Sequence, residues 1–157
     1  MTSYPSAVPS SLAASAVEDR IRYKIFSIIA DELGLVRAFR LNSGYEGICP
    51  ELMVAIERAE ARGMVSEEEV DDLWVSDIII RAQRSSDRQQ VHAVLEVSFT
   101  INNHDVDRAC QRGRVLSAVT ENEVVAAVIG GVAEPQQRRR AQELGVRVVI
   151  PSMFKTQ

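Results

Sequence analysis

Two acidic residues, Asp77 and Glu96, stand in consecutive apolar segments of the chain. Asp77 lies in the segment Val75-Ser-Asp-Ile-Ile-Ile-Arg81, and Glu96 lies in the segment Val94-Leu-Glu-Val-Ser-Phe99. A carboxylate within an apolar strand loses its hydration, so it needs a cation or several hydrogen-bond donors nearby. Two such carboxylates on adjacent strands could share one divalent cation such as Mg²⁺, which binds carboxylates and substrate phosphates. A cation at that position could activate water and neutralise the charge that develops on a phosphoryl group.

Each carboxylate also has a structural interpretation. Asp77 could end a strand, and Glu96 could pair with an arginine, because buried carboxylates are usually paired. Arginine is plentiful, since only Lys24 and Lys155 among the 18 basic residues are lysine. The guanidinium group makes bidentate contacts with carboxylate or phosphate, and it does not act as a general base near neutral pH. The residue types therefore leave both a metal site and an ion pair open.

The two acidic residues belong to a longer pattern. After Asp77 and a variable loop come Glu96-Val-Ser98 in a second strand, and then a helix that begins near Asn103-His-Asp-Val-Asp-Arg-Ala109. This order resembles the PD-(D/E)XK nuclease superfamily, and in particular a branch with Glu-Val-Ser in place of Glu-x-Lys. The resemblance covers about residues 17–150. It implies a restriction-endonuclease-like α/β core, α-β-β-β-α-β, with extra N-terminal helices, and metal-dependent hydrolysis of phosphodiester bonds in DNA.

The resemblance also implies roles for individual residues. Asp77 and Glu96 would bind Mg²⁺ or Mn²⁺, and Glu18 on the first helix would be the third carboxylate ligand. Ser98 stands where the family has a lysine that positions the attacking water, and it would orient that water here. Ser76 stands where the family usually has a proline before the aspartate. These two departures bear on the activity more than on the fold.

Basic residues near the pattern could complete a phosphate site. Arg108 and Arg112 lie one turn apart on the predicted helix after the second strand and could contact phosphate. The alternative is that both are surface arginines of an amphipathic helix. Lys24 is the one lysine that could replace the family lysine missing at Ser98, because Lys24 lies on the same predicted helix as Glu18. The two are six residues apart, however, and do not share a helix face closely.

The composition indicates one soluble domain. A chain of 157 residues with 46% hydrophobic and 25% charged residues can form one ordinary core. We expect a flexible arm over residues 1–14 and a single domain over residues 15–157. Cys49 and Cys110 have neither metal-ligand spacing nor enough partners for a disulfide scaffold, which favours free thiols and a cytoplasmic location. No apolar run approaches the length of a membrane span, so a membrane partner is not expected.

The charge is uneven along the chain. The net charge of −4 argues against a generic polyanion binder, yet residues 1–76 carry −6 and residues 77–157 carry +2. The second half could therefore tolerate a phosphate backbone.

The elements that must position these residues follow from periodicity. Helical spacing, a proline start and glycine stops predict helices before Asp77, and two β-branched runs then predict an antiparallel hairpin. Helix and strand alternate in the remaining chain, so helices should cover a mixed sheet. The predicted helices are 17–33, 50–63, 66–72, 104–119 and 135–144, and the predicted strands are 75–82, 91–100, 124–129 and 146–150.

Three functional hypotheses follow. The first is a metal-dependent nuclease that acts on DNA, and a homodimer formed through the amphipathic first helix would help so small a chain to surround a duplex. The alternative is a catalytically degenerate module of the same fold that binds nucleic acid or a protein partner without cleavage. The third, a nucleotide-binding domain formed by the C-terminal βαβ segment, has no glycine fingerprint to support it.

Overall fold

The computed structural model describes residues 11–43 and 47–155. Residues 1–10, which form most of the predicted arm, lie outside the described residues, and the first helix begins at Ser11. The elements of the N-terminal half are α1 (Ser11–Tyr23), α2 (Ile25–Leu33), β1 (Leu35–Arg40), β2 (Asn42–Ser43), β3 (Gly47–Ile48), α3 (Pro50–Ala61) and α4 (Glu67–Trp74).

The hairpin and the alternating C-terminal elements follow. They are β4 (Ile78–Arg84), β5 (Gln90–Val97), β6 (Thr100–Ile101), α5 (Asn103–Thr120), β7 (Val124–Ile129), β8 (Val132–Ala133), α6 (Pro135–Leu144), β9 (Arg147–Val149) and a 3₁₀ turn (Ser152–Phe154). None of the described helices is both long enough and apolar enough to span a membrane.

A five-stranded mixed sheet in the order β1-β4-β5-β7-β9 is the centre of the fold. β1, β4 and β5 are antiparallel neighbours, whereas β5, β7 and β9 run parallel. The short loop between β4 and β5 permits a hairpin, while α5 supplies the crossover that the parallel strands β5 and β7 require. The predicted α/β architecture, a mixed central sheet flanked by helices, is confirmed.

Apolar side chains cover both faces of the sheet. Because strand residues alternate between faces, Ile78 and Ile80 pack in one layer with residues of α2 such as Ile28. Ile79 and Val94 face the opposite layer, to which α3, α4 and α5 contribute. A strand that is buried on both faces is apolar almost throughout, so each polar residue on β4 or β5 needs a partner from another element.

Capping boxes fix the start of two helices that carry site residues. Ser66 Oγ accepts a hydrogen bond from the Glu69 N–H at 3.1 Å, and Glu69 Oε1 accepts one from the Ser66 N–H at 3.0 Å. Asn102 and Asp105 form the same reciprocal pair at the start of α5. Such pairs satisfy N–H groups that the first helical turn leaves free. The helix predicted over residues 66–72 is present as α4, with Ser66 as its N-cap.

Three details of the sequence prediction need correction. Leu35–Arg40 forms β1, a strand that periodicity did not predict, although the core implied by the resemblance has three consecutive strands. The helix predicted over residues 17–33 is two helices, α1 and α2, which are interrupted at Lys24. Asp77 precedes the first residue of β4 instead of lying within the strand.

The missed strand β1 is irregular. The register of its pairing with β4 shifts between Val36 and Phe39, and Arg37 has a φ of 52°. A bulge of this kind breaks the strict alternation by which a strand is recognised in a sequence. The irregularity therefore explains why periodicity did not reveal β1.

Candidate carboxylate and arginine site

Asp77 and Glu96 lie opposite each other at one end of the β4–β5 hairpin. Ile78 pairs with Leu95 in the antiparallel hairpin, so the preceding residue, Asp77, lies opposite the residue that follows Leu95, which is Glu96. The Asp77 N–H donates to Glu96 Oε2 at 3.1 Å, and the Val97 N–H donates to Asp77 Oδ2 at 2.9 Å. Each carboxylate thus accepts a hydrogen bond from the backbone of the other strand. The two side chains extend the ladder where its regular pairing ends.

Glu96 is also paired with a buried arginine. Arg112 projects from α5 and donates through Nη1 to Glu96 Oε1. Its Nη2 donates to Asp72 Oδ1 at 3.1 Å and its Nε donates to Asp72 Oδ2 at 3.3 Å, so α4 holds the same guanidinium. The side chains of Arg112 and Glu96 are only 7% and 3% exposed. Burial of two charges is costly unless they are paired and hydrogen-bonded, and here Asp72 and Glu96 together satisfy Arg112.

Glu18 and Arg22 approach the pair from α1. The Phe99 N–H donates to Glu18 Oε1 at 3.4 Å. Arg22 Nη2 lies 3.4 Å from Asp77 Oδ1. It also lies 3.9 Å from Glu18 Oε2, because Glu18 and Arg22 are four residues apart and share a helix face. Arg22 Nη1 also donates to Asp19 Oδ1 at 3.2 Å. Glu18, which the resemblance implies as third carboxylate, therefore lies close to Asp77 with an arginine between them.

Two further residues hold the backbone around Asp77, and neither was singled out from the sequence. Arg40 of β1 donates through Nη2 to the Asp77 carbonyl at 3.0 Å. Asn42 is buried, donates to the Ser76 carbonyl at 2.9 Å and accepts from the Ile79 N–H at 2.7 Å. Recognition of the strand over residues 35–40 would have drawn attention to both residues, but the sequence pattern did not reveal that strand.

The other predicted site residues lie at varying distances from the acidic pair. The Ser98 hydroxyl donates to the Thr100 carbonyl at 3.0 Å. Arg108 pairs with Asp105 at 2.8 Å near the start of α5. Lys24 lines a cavity between α2 and residues 151–153. Arg112 is the predicted phosphate-binding residue that directly contacts the acidic pair.

Hydrogen-bond donors occupy the carboxylates of Asp77 and Glu96 in this arrangement. All four oxygens of Asp77 and Glu96 face N–H groups, supplied by Arg22, Val97, Arg112 and the Asp77 amide. Within the described parts of the chain, no group of three His, Cys, Asp or Glu side chains is arranged to hold a metal ion. The cations that balance the acidic pair here are arginines.

A second polar group lies at the opposite end of the same sheet face. Arg81 and His92 pair across β4 and β5, and Glu51 of α3 forms an ion pair with Arg81. The Arg81 guanidinium also lies 5.5 Å from the centre of the Phe39 ring. His92 is buried, and its Nδ1 lies 3.5 Å from the Asn122 side-chain amide. Burial lowers the pKa of His92; the Glu51 charge opposes this shift, and the Arg81 charge adds to it.

Comparison with known proteins assigns no role to either group of residues. No protein-family model matches the chain, and neither a curated protein nor a solved structure matches it. The function therefore has to be inferred from the residues and their geometry.

Proposed function

We propose that this chain is a nucleic-acid-binding domain of the PD-(D/E)XK type that does not cleave its ligand. The observation that carries the proposal is the state of Glu96, whose two oxygens accept hydrogen bonds from Arg112 and from the Asp77 N–H. Ser98 replaces the family's lysine, and its hydroxyl donates to the Thr100 carbonyl. Among the described residues, both Glu96 oxygens therefore already accept hydrogen bonds, and no lysine stands at the position of the family's catalytic lysine.

The order of elements supports a relationship to this superfamily. α2, β1, β4, β5, α5 and β7 follow one another as α-β-β-β-α-β, which is the order that the resemblance implies. The four strands of this series are also consecutive neighbours in the sheet. The short strands β2 and β3 and the helices α3 and α4 are inserted between β1 and β4. The acidic pair lies where β4 and β5 meet, as the resemblance expects for the motif residues.

Arginines beside the acidic pair support an anionic ligand. Arg22 and Arg40 both reach Asp77, and no carboxylate pairs with Arg40 among the residues that the structure describes. A guanidinium group binds phosphate through parallel hydrogen bonds. The resemblance to nucleases makes a nucleic acid the expected source of that phosphate. A protein partner is the other outcome that a binding experiment could reveal.

Binding and cleavage can be measured on the same preparation. Fluorescence anisotropy of labelled single-stranded DNA, duplex DNA and single-stranded RNA would give affinities at several salt concentrations. Supercoiled plasmid incubated in Mg²⁺ or Mn²⁺ would report nicking. We expect binding that weakens as salt rises, without nicking. If none of the three nucleic acids binds at low salt, the proposal is wrong and a protein partner should be sought.

A metal-dependent nuclease is the second candidate, because Asp77, Glu96 and Glu18 lie around one end of the hairpin. Binding of Mg²⁺ or Mn²⁺ would require Arg22 and Arg112 to release these carboxylates. Metal-dependent nicking that is lost in an identically prepared Glu96→Ala protein would establish this candidate. Equal nicking by both proteins would indicate a contaminating nuclease.

A further inference from the structure

We infer that a surface at the edge of the sheet binds the backbone of a single-stranded nucleic acid. This β1 edge surface consists of Arg37, Phe39 and Arg40 of β1, together with Arg22 of α1. It covers both sides of the edge, because Phe39 pairs with Arg81 on the face toward α3, whereas Arg40 pairs with Ile80 on the face toward α2. The inference rests on the proposed nucleic-acid-binding function and specifies where the ligand lies. The charge, the exposed ring and the backbone of β1 each support it separately.

Two charges of the β1 edge surface are available to an anion, whereas Arg22 is already paired with carboxylates. Arg37 and Arg40 are exposed, and no carboxylate in the described part of the chain pairs with either of them. By contrast, both arginines of the neighbouring strand β4, Arg81 and Arg84, form ion pairs. Exposed arginines without carboxylate partners are suited to contact phosphate groups.

The exposed ring of Phe39 indicates that the ligand has unpaired bases. Edge strands often carry charged residues, because charge prevents pairing with another sheet. That protective role could explain Arg37 and Arg40, but it does not explain an exposed phenylalanine between them. Phe39 is 53% exposed, and the Arg81 guanidinium lies over its ring. Bases of single strands stack on such rings while neighbouring cations contact the phosphates.

The backbone of β1 favours a nucleic acid over a peptide strand. A peptide that adds to a sheet edge needs a regular row of N–H and C=O groups. The pairing of β1 with β4 is interrupted, because Arg37 and Ala38 lie between the paired positions Val36 and Phe39. The backbone of β1 is therefore not regularly extended at this point, and its free edge is bent as well. Arg37 also has a φ of 52°, a left-handed conformation that is uncommon for a residue with a side chain. Such irregular backbone often redirects side chains at binding sites.

The β1 edge surface is continuous with the carboxylate site. Arg40 Nη2 lies 3.0 Å from the Asp77 carbonyl, and Arg22 Nη2 lies 3.4 Å from Asp77 Oδ1. The Asp77 carboxylate alone would repel a phosphate. Arg22 and Arg112 offset only part of the negative charge at this end, because each also pairs with other carboxylates. We therefore expect the phosphates to lie along Arg37 and Arg40 and not over the acidic pair.

A matched pair of double variants tests the surface. Arg37→Ala/Arg40→Ala removes two charges from the β1 edge surface, and Arg138→Ala/Arg139→Ala removes two exposed charges from α6 as the control. Anisotropy of fluorescein-labelled single-stranded DNA would be measured at several salt concentrations. Each phosphate contact contributes about −0.7 to the slope of log K against log salt for single strands. We therefore expect the first variant to lose about 1.4 from the magnitude of the slope and the control to keep it.

Two single variants separate binding from folding. Arg37→Gly removes the charge and introduces the residue that tolerates a positive φ best. It should fold at least as well as the wild type by thermal unfolding, yet bind more weakly. Phe39→Ala should weaken binding about tenfold at every salt concentration, because stacking of one base is lost without a change in charge.

The outcomes distinguish this inference from the proposed function. If the wild type binds none of single-stranded DNA, duplex DNA and single-stranded RNA, the proposed function itself is wrong. If it binds duplex DNA alone, the function stands and the single-strand assignment of the β1 edge surface is wrong. If the wild type binds and the two double variants lose affinity equally, the function stands and the β1 edge surface is wrong. Unchanged affinity in Arg37→Ala/Arg40→Ala would have the same meaning.

Discussion

At the two ends of one face of the β4–β5 hairpin, the sheet carries opposite charges. At one end the sheet side presents two carboxylates, Asp77 and Glu96, and helix α5 supplies the balancing cation, Arg112. At the other end the sheet presents the cation Arg81, and helix α3 supplies the balancing acid, Glu51. In both places the charge that neutralises the sheet comes from a helix that covers it.

The two ion pairs differ in burial. The side chains of Arg112 and Glu96 are 7% and 3% exposed, whereas those of Arg81 and Glu51 are 32% and 51% exposed. Water screens the exposed pair and can replace a lost partner, but it cannot do so for the buried pair. Loss of the buried ion pair should therefore lower the free energy of unfolding several-fold more than loss of the exposed ion pair.

The largest effect is expected from the loss of the buried cation. Arg112→Ala leaves Glu96 as a buried charge without its arginine, so the free energy of unfolding should fall by about 3–5 kcal/mol. Urea unfolding followed by the fluorescence of the single tryptophan, Trp74, would measure this. Arg114→Ala removes an exposed arginine of the same helix and should change stability by no more than about 0.5 kcal/mol. Equal effects of the two variants would mean that Arg112 is not a buried partner of Glu96.

The next effect comes from the removal of both charges together. In Glu96→Gln/Arg112→Met, no unpaired charge of this pair remains buried, so the double variant should be less destabilised than the sum of the single variants. The coupling should be about 0.5–3 kcal/mol in a double-mutant cycle measured by urea unfolding. Strictly additive losses would show that the two side chains do not interact.

The opposite end should be sensitive to acid. Burial holds the pKa of His92 below its ordinary value of 6.5. The unfolded chain therefore binds a proton on this residue at a higher pH than the folded chain does. As pH falls below 6.5, the free energy of unfolding should decrease, by at most about 1.4 kcal/mol per pH unit. Above that pH the contribution of His92 should be constant.

Urea midpoints of the wild type and of His92→Gln, measured on both sides of this pH, would test the assignment. The variant should lose less stability on acidification, because it has no imidazole to protonate in the unfolded chain. If both proteins lose the same amount, groups other than His92 are responsible.

The smallest effect is expected at the exposed ion pair. Glu51→Ala leaves Arg81 partly hydrated, so the loss of stability should be about 0–1 kcal/mol. Glu57→Ala, at another exposed position of α3, is the matched control for helix propensity and net charge. If Glu51→Ala lost as much stability as Arg112→Ala, burial would not explain the difference between the two ion pairs.

Elements with regular local patterns could be predicted from the sequence. Residues 124–129 and 135–144 have their predicted limits as β7 and α6, because an apolar run and a helix between proline and glycine are local signals. β1 could not be predicted in this way, since its bulge at Arg37 breaks the alternation. The interruption at Lys24 was missed because α1 and α2 continue one apolar spacing.

The proximity of Asp77 and Glu96 could also be predicted, because a hairpin joins neighbouring segments. Which arginines would pair with them could not be predicted. Arg22 and Arg40 lie 55 and 37 residues from Asp77 in sequence, so their approach depends on how α1 and β1 pack. The sequence allowed an arginine partner for Glu96, which the structure confirms, but it did not identify Arg112, for which only a phosphate contact and a surface position were left open.

The pairing of β1 with β4 also has a kinetic consequence. Its partners lie at least 40 residues apart in sequence, whereas the partners within the β4–β5 hairpin lie 7 to 17 residues apart. Closing the longer loop costs more chain entropy, which delays non-local pairing. During refolding we expect the hairpin amides to gain protection from hydrogen exchange before those of β1, and early protection of β1 would contradict this. A chain that has not yet docked β1 would lack the β1 edge surface, so capture of a ligand there would report that folding is complete.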